Sequence, residues 1–240
     1  MKDCSQQQYS NRKIYKYVMY YIVIKNITIC DKMVLRLLVR KLELTDKRFI
    51  TRKELKSYCK ELKLDYYTAI RYLTSNSYLI RILRGVFYIK SIEERKLKKI
   101  NINYIDALKE ALKIKDVKWY FGLESAIKLN NLTHEYFAIE TIITDSMFRP
   151  RPIEILGTKI KFVKISKNLF AFGLIGKDFK HSDIEKTLLD IIYLGKYNNY
   201  SEEEIRNKIV SLLKNCEKSK LMKYAKHYPK TASKLLLKLI

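Results

Sequence analysis

The sequence predicts an α+β fold in two parts. Three observations carry the prediction. Apolar residues recur at helical spacing in three short segments between Lys32 and Asn76. The period then switches to that of strands over Leu79–Ile82 and Val86–Ile89, with Leu83-Arg84-Gly85 between them. Beyond Tyr104, helical and strand-like segments are mixed, and the chain closes with four helical segments. The expected architecture is an N-terminal winged helix-turn-helix domain, then a mixed α+β C-terminal domain with a small sheet and terminal helices. The chain divides into an extension over 1–30, the winged module and its connector over 31–100, and the C-terminal domain over 101–240.

In the extension, Ile14, Tyr17, Val18, Tyr21 and Ile22 have helical spacing, but Tyr20 to Ile24 is equally rich in β-formers, so both readings stand. The first helix of the module covers about Lys32 to Leu44, with Val34, Leu35, Leu38 and Leu42 as its buried stripe. Thr51 stands three residues before Glu54, the reciprocal capping-box pattern, and Ile50 precedes it as a hydrophobic staple. Leu55, Tyr58, Cys59 and Leu62 form the inner face of that second helix. A turn at Lys63-Leu64 leads to Asp65, a good N-cap for a third helix from Tyr66 to about Asn76. Ala69, Ile70 and Leu73 face its core. Gly85 supplies the left-handed backbone that a tight hairpin needs, which puts Arg84 at or beside the tip.

Ser91–Asn103 is a charged connector. In the C-terminal domain, helices are expected with Ile105, Leu108 and Leu112 on one face, over Gly122–Leu129, and over Ser182–Leu194, Glu202–Leu213, Lys218–Tyr224 and Thr231–Ile240. Strands are expected over Phe137–Ile143, Ile153–Leu156, Lys159–Ile165 and Leu169–Leu174, with Gly157 as a hairpin turn.

The formal net charge is +24 over 240 residues, and it is uneven. Residues 31–100 carry 19 Lys/Arg against 8 Asp/Glu, a net +11; residues 101–240 carry 25 against 16, a net +9 over twice the length. A field of this sign attracts polyanions. Abundant Lys, Ile, Tyr and Asn with few Gly and Pro also fit an A/T-rich coding sequence, so charge alone is weak support. Cys4, Cys30, Cys59 and Cys216 lie far apart, without a CxxC pair or zinc spacing, which argues against a metal site and for a reducing cytoplasm. The apolar run Val18–Ile24 is too short to span a bilayer and lacks a signal-peptide cleavage pattern.

A helix-turn-helix holds its third helix against the major groove, where base edges offer distinct donor and acceptor patterns. Arg71 is the best base-reading candidate, because a guanidinium pairs bidentately with guanine. Thr68 and Ser75 are candidate donors to bases or phosphates. Tyr66 and Tyr72 are candidates for phosphate or sugar contacts, as is Tyr67, although Tyr67 or Tyr72 is expected to complete the core instead. Lys63 and the N-terminal amides of the third helix suit a phosphate. Arg81 and Arg84 of the wing suit the minor groove or backbone.

Catalytic motifs are absent from the sequence. There is no glycine-rich phosphate loop, HExxH or GxSxG, and His134, His181 and His227 are isolated. Asp183, Glu185 and Asp190 share one helical segment, where Asp183 fits a helix start and Glu185 a partner such as Lys186. The nearest approach to a strand carboxylate pair is Glu140 and Asp145. Arg149-Pro150-Arg151-Pro152 reads as a rigid basic turn. No cofactor is expected.

With these elements placed, the chain resembles the AbiEi family, the antitoxin and transcriptional-regulator half of AbiE-type toxin–antitoxin systems. Three stretches carry the likeness. They are Leu79-Ile80-Arg81-Ile82-Leu83-Arg84-Gly85-Val86-Phe87-Tyr88, then Trp119-Tyr120-Phe121-Gly122-Leu123-Glu124-Ser125-Ala126 followed by Leu132-Thr133, then Ile184-Glu185-Lys186-Thr187-Leu188-Leu189-Asp190. Together they span about residues 35–195, and their order is more specific than any one of them. The resemblance implies an N-terminal domain that binds inverted repeats in its own promoter, two copies to a site, and represses transcription. It also implies a C-terminal domain that neutralises a nucleotidyltransferase toxin, with or without a stable complex. The rival readings are a nucleic-acid-processing enzyme, nuclease or nucleotidyltransferase-like, with an appended winged module, and a protein-interaction scaffold.

Overall fold

The computed structural model describes residues 29–133, 135, 137–177 and 179–239. The expectations for residues 1–28 and for His134 lie outside them. The described residues form a mixed α+β structure with ten α-helices and two sheets. They divide into two compact units, one ending at Asn101 and the other beginning at Ile102.

The first unit runs α1 (Ile29–Glu43), β1 (Phe49–Thr51), α2 (Arg52–Glu61), α3 (Tyr66–Ser75), β2 (Leu79–Leu83), β3 (Val86–Ile89) and α4 (Ile92–Lys96). Its core joins Leu35, Leu38 and Leu42 of α1 to Leu55 and Cys59 of α2, Ala69 and Leu73 of α3, and Leu79 and Phe87 of the hairpin. Each such aliphatic side chain contributes roughly 1.5–3 kcal/mol when fully buried. The capping box is present: the Glu54 amide donates to Thr51 Oγ1 at 3.2 Å, and the Thr51 amide donates to Glu54 Oε2 at 2.8 Å. Asp65 caps α3, accepting from the Thr68 amide at 2.7 Å. The hairpin pairs Leu79 with Ile89 and Leu83 with Val86, and Gly85 has φ +83°.

A third strand was not foreseen. β1 pairs antiparallel with β3, Phe49 opposite Tyr88 and Thr51 opposite Val86, giving the order β1-β3-β2. Three residues are too few to show a period of two; Ile50, expected as a staple, is a buried strand residue in the same core cluster as Leu55, the fourth residue of α2.

The second unit runs α5 (Tyr104–Ile114), β4 (Trp119–Phe121), α6 (Leu123–Leu129), β5 (Ile139–Thr144), β6 (Ile153–Ile155), β7 (Thr158–Lys164), a 3-10 turn (Lys167–Phe170), β8 (Leu174–Ile175), β9 (His181–Ser182), α7 (Ile184–Tyr197), α8 (Glu202–Leu213), α9 (Lys218–Ala225) and α10 (Lys230–Leu239). The six strands take the order β6-β7-β5-β4-β9-β8, with β5–β7 and β4–β9 parallel and the other pairs antiparallel. Helix α7 is central. Leu188, Leu189 and Ile192 pack among Ile205 and Ile209 of α8, Leu221 of α9 and Leu235 of α10.

The helix expected over Gly122–Leu129 is α6, with Gly122 at its N-cap, and the strand Trp119–Phe121 before it was not anticipated. One expectation fails here. Leu169–Leu174 is not one strand. Its start is a 3-10 turn whose Leu169 carbonyl accepts from the Lys186 ammonium at 2.6 Å, and Gly173 at φ +65° breaks the extended run.

Candidate nucleic-acid interface

Tyr67, Arg71, Thr74 and Ser75 are all exposed, and their spacing of four, seven and eight residues puts them on one face of α3. The opposite face is closed by Ala69 and Leu73. The Arg71 guanidinium has no hydrogen-bond or ion-pair partner among the described residues, so its five donors are unspent. Tyr67 is 65% exposed, whereas Tyr72 is half-buried, stacks on Tyr78 at 6.0 Å and packs on the core. Tyr72 is therefore the tyrosine that completes the core. Ser75 is placed differently from expectation: its hydroxyl donates back to the Arg71 carbonyl at 2.8 Å, leaving only its acceptor side outward. Thr68 is half-buried.

Lys63 ends α2 in a Schellman arrangement. It adopts φ 52° while Leu64 N–H reaches the Cys59 carbonyl at 2.8 Å and Lys63 N–H reaches Lys60 at 3.2 Å. The charge is exposed, but the helix start beyond it is already occupied. The Asp65 carboxylate caps those amides, and the Thr68 amide bond holds its pKa below the usual range. A phosphate on the first amides of α3 would have to displace it.

Arg81 and Arg84 are exposed. The hairpin tip is fastened to the start of α2, because Arg52 N–H donates to the Gly85 carbonyl at 2.8 Å. Two cations that the sequence reading passed over lie beside it. Arg52 and Lys56 stand over the Tyr66 ring at 5.4 and 5.7 Å from its centroid. Arg81 lies within electrostatic reach of the same phenol, whose pKa is raised, burial outweighing the two arginines. Positions 52 and 56 are one helical turn apart. The signal in the sequence is that spacing, which Thr51 as the N-cap of α2 places on one side of the helix.

The base of the hairpin is held from behind. Arg48 Nη2 donates to Tyr88 Oη at 2.9 Å, and Tyr88 Oη donates to Glu94 Oε1 at 2.7 Å. Glu94 is buried and also accepts from the Ser91 amide at 2.8 Å and the Asn101 amide at 2.6 Å. Burial pushes its pKa up, but these backbone donors and Tyr88 outweigh burial and leave it below the usual value.

In the second unit the acidic residues of α7 do structural work. Asp183 is the N-cap, accepting from the Lys186 amide at 2.9 Å. Glu185 pairs with Lys220 at 2.8 Å and not with Lys186. Burial disfavours the Lys220 charge, but Glu185 and Asp183 more than compensate and raise its pKa. Lys186 and Asp190 are both fully buried, 3.6 Å apart. Tyr120 and Tyr228 donate to the two Asp190 oxygens at 2.7 and 2.6 Å. Burial pushes the Asp190 pKa up and the Lys186 pKa down. This group is sealed, and no substrate reaches it.

The strand carboxylates do not converge. Glu140 and Asp145 are five residues apart, which puts them on opposite faces of an extended chain. Glu140 accepts from Ser125 Oγ at 2.5 Å at the rim of a cleft of about 410 Å³ lined by Tyr104, Lys128, Phe137, Thr158 and Lys159. Asp145 accepts from the Lys118 amide at 3.2 Å. Among the described residues no group of three His, Cys, Asp or Glu is placed to hold a metal ion, and no helix is long and apolar enough to cross a membrane. Arg149 of the basic turn donates its backbone N–H to the Phe162 carbonyl at 3.2 Å.

No family model and no curated protein matches the chain. Among solved structures it is similar to the RV2827C protein from Mycobacterium tuberculosis, at 15% identity and a TM-score of 0.50, over 86% of this chain and 76% of that one. At that identity the likeness is one of fold.

Proposed function

We propose that the protein is a non-enzymatic, sequence-specific DNA-binding regulator of the AbiEi type, and that its first unit is a winged helix-turn-helix. One observation carries this reading. The outward face of α3 bears an arginine without a partner among the described residues, and the same unit carries a hairpin with two exposed arginines, its tip tied at Gly85 to the start of α2. In such a module α3 lies in the major groove, Arg71 reads a base edge, and Tyr67 and the Ser75 oxygen make neighbouring polar contacts. Lys63, Tyr66, Arg81 and Arg84 hold the backbone or enter the minor groove, Thr68 steadies the Asp65 cap, and Tyr72 sets the helix against its core. The net +11 of residues 31–100 supports the polyanion half of the argument.

One module contacts few base pairs, so two copies on an inverted repeat are expected, with a homodimer forming on the DNA. By the family resemblance, the site lies in the promoter of its own operon and the second unit serves to counter a nucleotidyltransferase toxin; the scattered cysteines suit work in the cytoplasm. The test is a gel shift of the full chain on the region upstream of its gene at moderate salt. Binding at least a hundredfold tighter than to random duplex supports the reading; equal binding rejects specificity.

A further inference from the structure

We propose that Arg52 and Lys56, standing over Tyr66, form a clamp for a backbone phosphate of the duplex, a site distinct from the groove-facing residues of α3. The inference rests on the DNA-binding reading and adds Arg52 and Lys56 to its backbone contacts.

The argument starts from charge. Arg52 and Lys56, one helical turn apart on α2, stand over the Tyr66 ring at 5.4 and 5.7 Å from its centroid. Neither has a carboxylate partner among the described residues, whereas Lys41, Lys47 and Arg95 of the same unit pair with Glu61, Glu54 and Glu43. Two like charges drawn over one ring without a counter-charge repel one another. An anionic ligand supplies the missing charge.

The donors fit a phosphodiester. Its two non-bridging oxygens accept and do not donate, and the site offers donors to match: a guanidinium, an ammonium and the Tyr66 hydroxyl, which has no hydrogen-bond partner among the described residues. Tyr66 is half-buried, with its ring edge-on to Tyr67 at 5.4 Å, so the hydroxyl is presented from a fixed plane. The frame is rigid on the other side too. The capping box sets the start of α2, and the Arg52 amide is tied to Gly85. The alternative phosphate seat, the first amides of α3, is filled by Asp65. A strand that runs past the start of α3 therefore meets the clamp instead.

Fluorescence anisotropy tests this with two labelled duplexes, the upstream inverted repeat and a random sequence, between 50 and 200 mM salt. Four variants are compared with the wild type: Arg52→Ala/Lys56→Ala, the charge-keeping Arg52→Lys/Lys56→Arg, Tyr66→Phe and Arg71→Ala. The double alanine variant is expected to weaken both duplexes about tenfold at 50 mM and to make the salt slope shallower by about 0.9, the value for one phosphate, so that the deficit narrows about three- to fourfold by 200 mM. The charge-keeping variant holds the wild-type slope. Tyr66→Phe weakens both duplexes equally without changing the slope, and it decides the matter if the double alanine variant fails to fold. Wild-type affinity and slope in the alanine and phenylalanine variants, with Arg71→Ala still losing preference for the inverted repeat, would overturn the clamp and leave DNA reading intact. A wild-type chain that binds neither duplex at 50 mM would overturn both.

Discussion

Replacing Asp190 by alanine strands a charge. The carboxylate is fully buried, accepts from Tyr120 and Tyr228 at 2.7 and 2.6 Å, and faces the Lys186 ammonium at 3.6 Å. Without it Lys186 keeps the Leu169 carbonyl at 2.6 Å, the Tyr228 hydroxyl at 3.3 Å and the faces of Phe172 and Tyr120 at 4.8 and 5.1 Å, none of them a counter-charge. Removing one partner of a buried pair costs about 3–5 kcal/mol. Each phenol left without an acceptor costs roughly 1–3 kcal/mol more, although these losses overlap because the same cavity relaxes for all of them. Asp190→Ala is therefore expected to destabilise the second unit by about 4 kcal/mol. Adding Lys186→Met removes the stranded charge and is expected to recover about 1–2 kcal/mol, since a pair replaced as a pair is far less damaging than a pair broken. The assay is urea unfolding followed by tryptophan emission. Trp119 is the chain's single tryptophan and lies on β4 beside Tyr120, so the signal reports the second unit alone. A loss under about 1 kcal/mol for Asp190→Ala, or no recovery in the double variant, would refute the reasoning.

Three further outcomes are expected. Lys63→Gly should stabilise the first unit by about 1 kcal/mol, because φ 52° strains any side chain, while weakening duplex binding through the lost charge; a lower melting temperature would contradict the Schellman assignment. Arg84→Ala should flatten the salt dependence of duplex binding by about one unit of slope with little change in stability, as a salt series with a thermal melt would show. Glu94 has a folded pKa below its ordinary 4.5, so the stabilisation it gives is complete above pH 4.5 and is lost as the pH falls through the folded value. Glu94→Gln should then lower stability at pH 7 and flatten the acid limb of the first unit's stability curve, measured by circular dichroism between pH 3 and 7; an unchanged acid limb would argue against the role of the Ser91 and Asn101 amides.

What the sequence revealed and what it hid follow from the range of the interactions. The start of α2 was legible because Thr51 and Glu54 satisfy each other's amides three residues apart. The start of α3 was legible because Asp65 does the same for Thr68. The strand period over Leu79–Ile82 and Val86–Ile89 announced the hairpin, and Gly85 its tip. Strand β1 was hidden because its pairing lies wholly with β3, almost forty residues on. Trp119–Phe121 is set by a parallel neighbour at His181 and an antiparallel one at Thr144, and nothing local signals either. The buried roles of Lys186 and Asp190 depend on tyrosines 66 and 42 residues away from Lys186, at positions 120 and 228. Of the candidate interface, Arg71 and Arg84 could be read from helix phase and turn chemistry. Arg52 and Lys56 could not be joined to Tyr66 without knowing how α2 crosses the start of α3.

Amide hydrogen exchange of the full chain, with and without a duplex carrying the upstream inverted repeat, tests most directly the proposed docking of DNA on α3 and the hairpin. The predicted result is added protection over Tyr66–Asn76, the turn at Arg84-Gly85 and the first turn of α2, with the core of α7 unchanged. Protection confined to the second unit, with α3 and the hairpin exchanging as before, would contradict it.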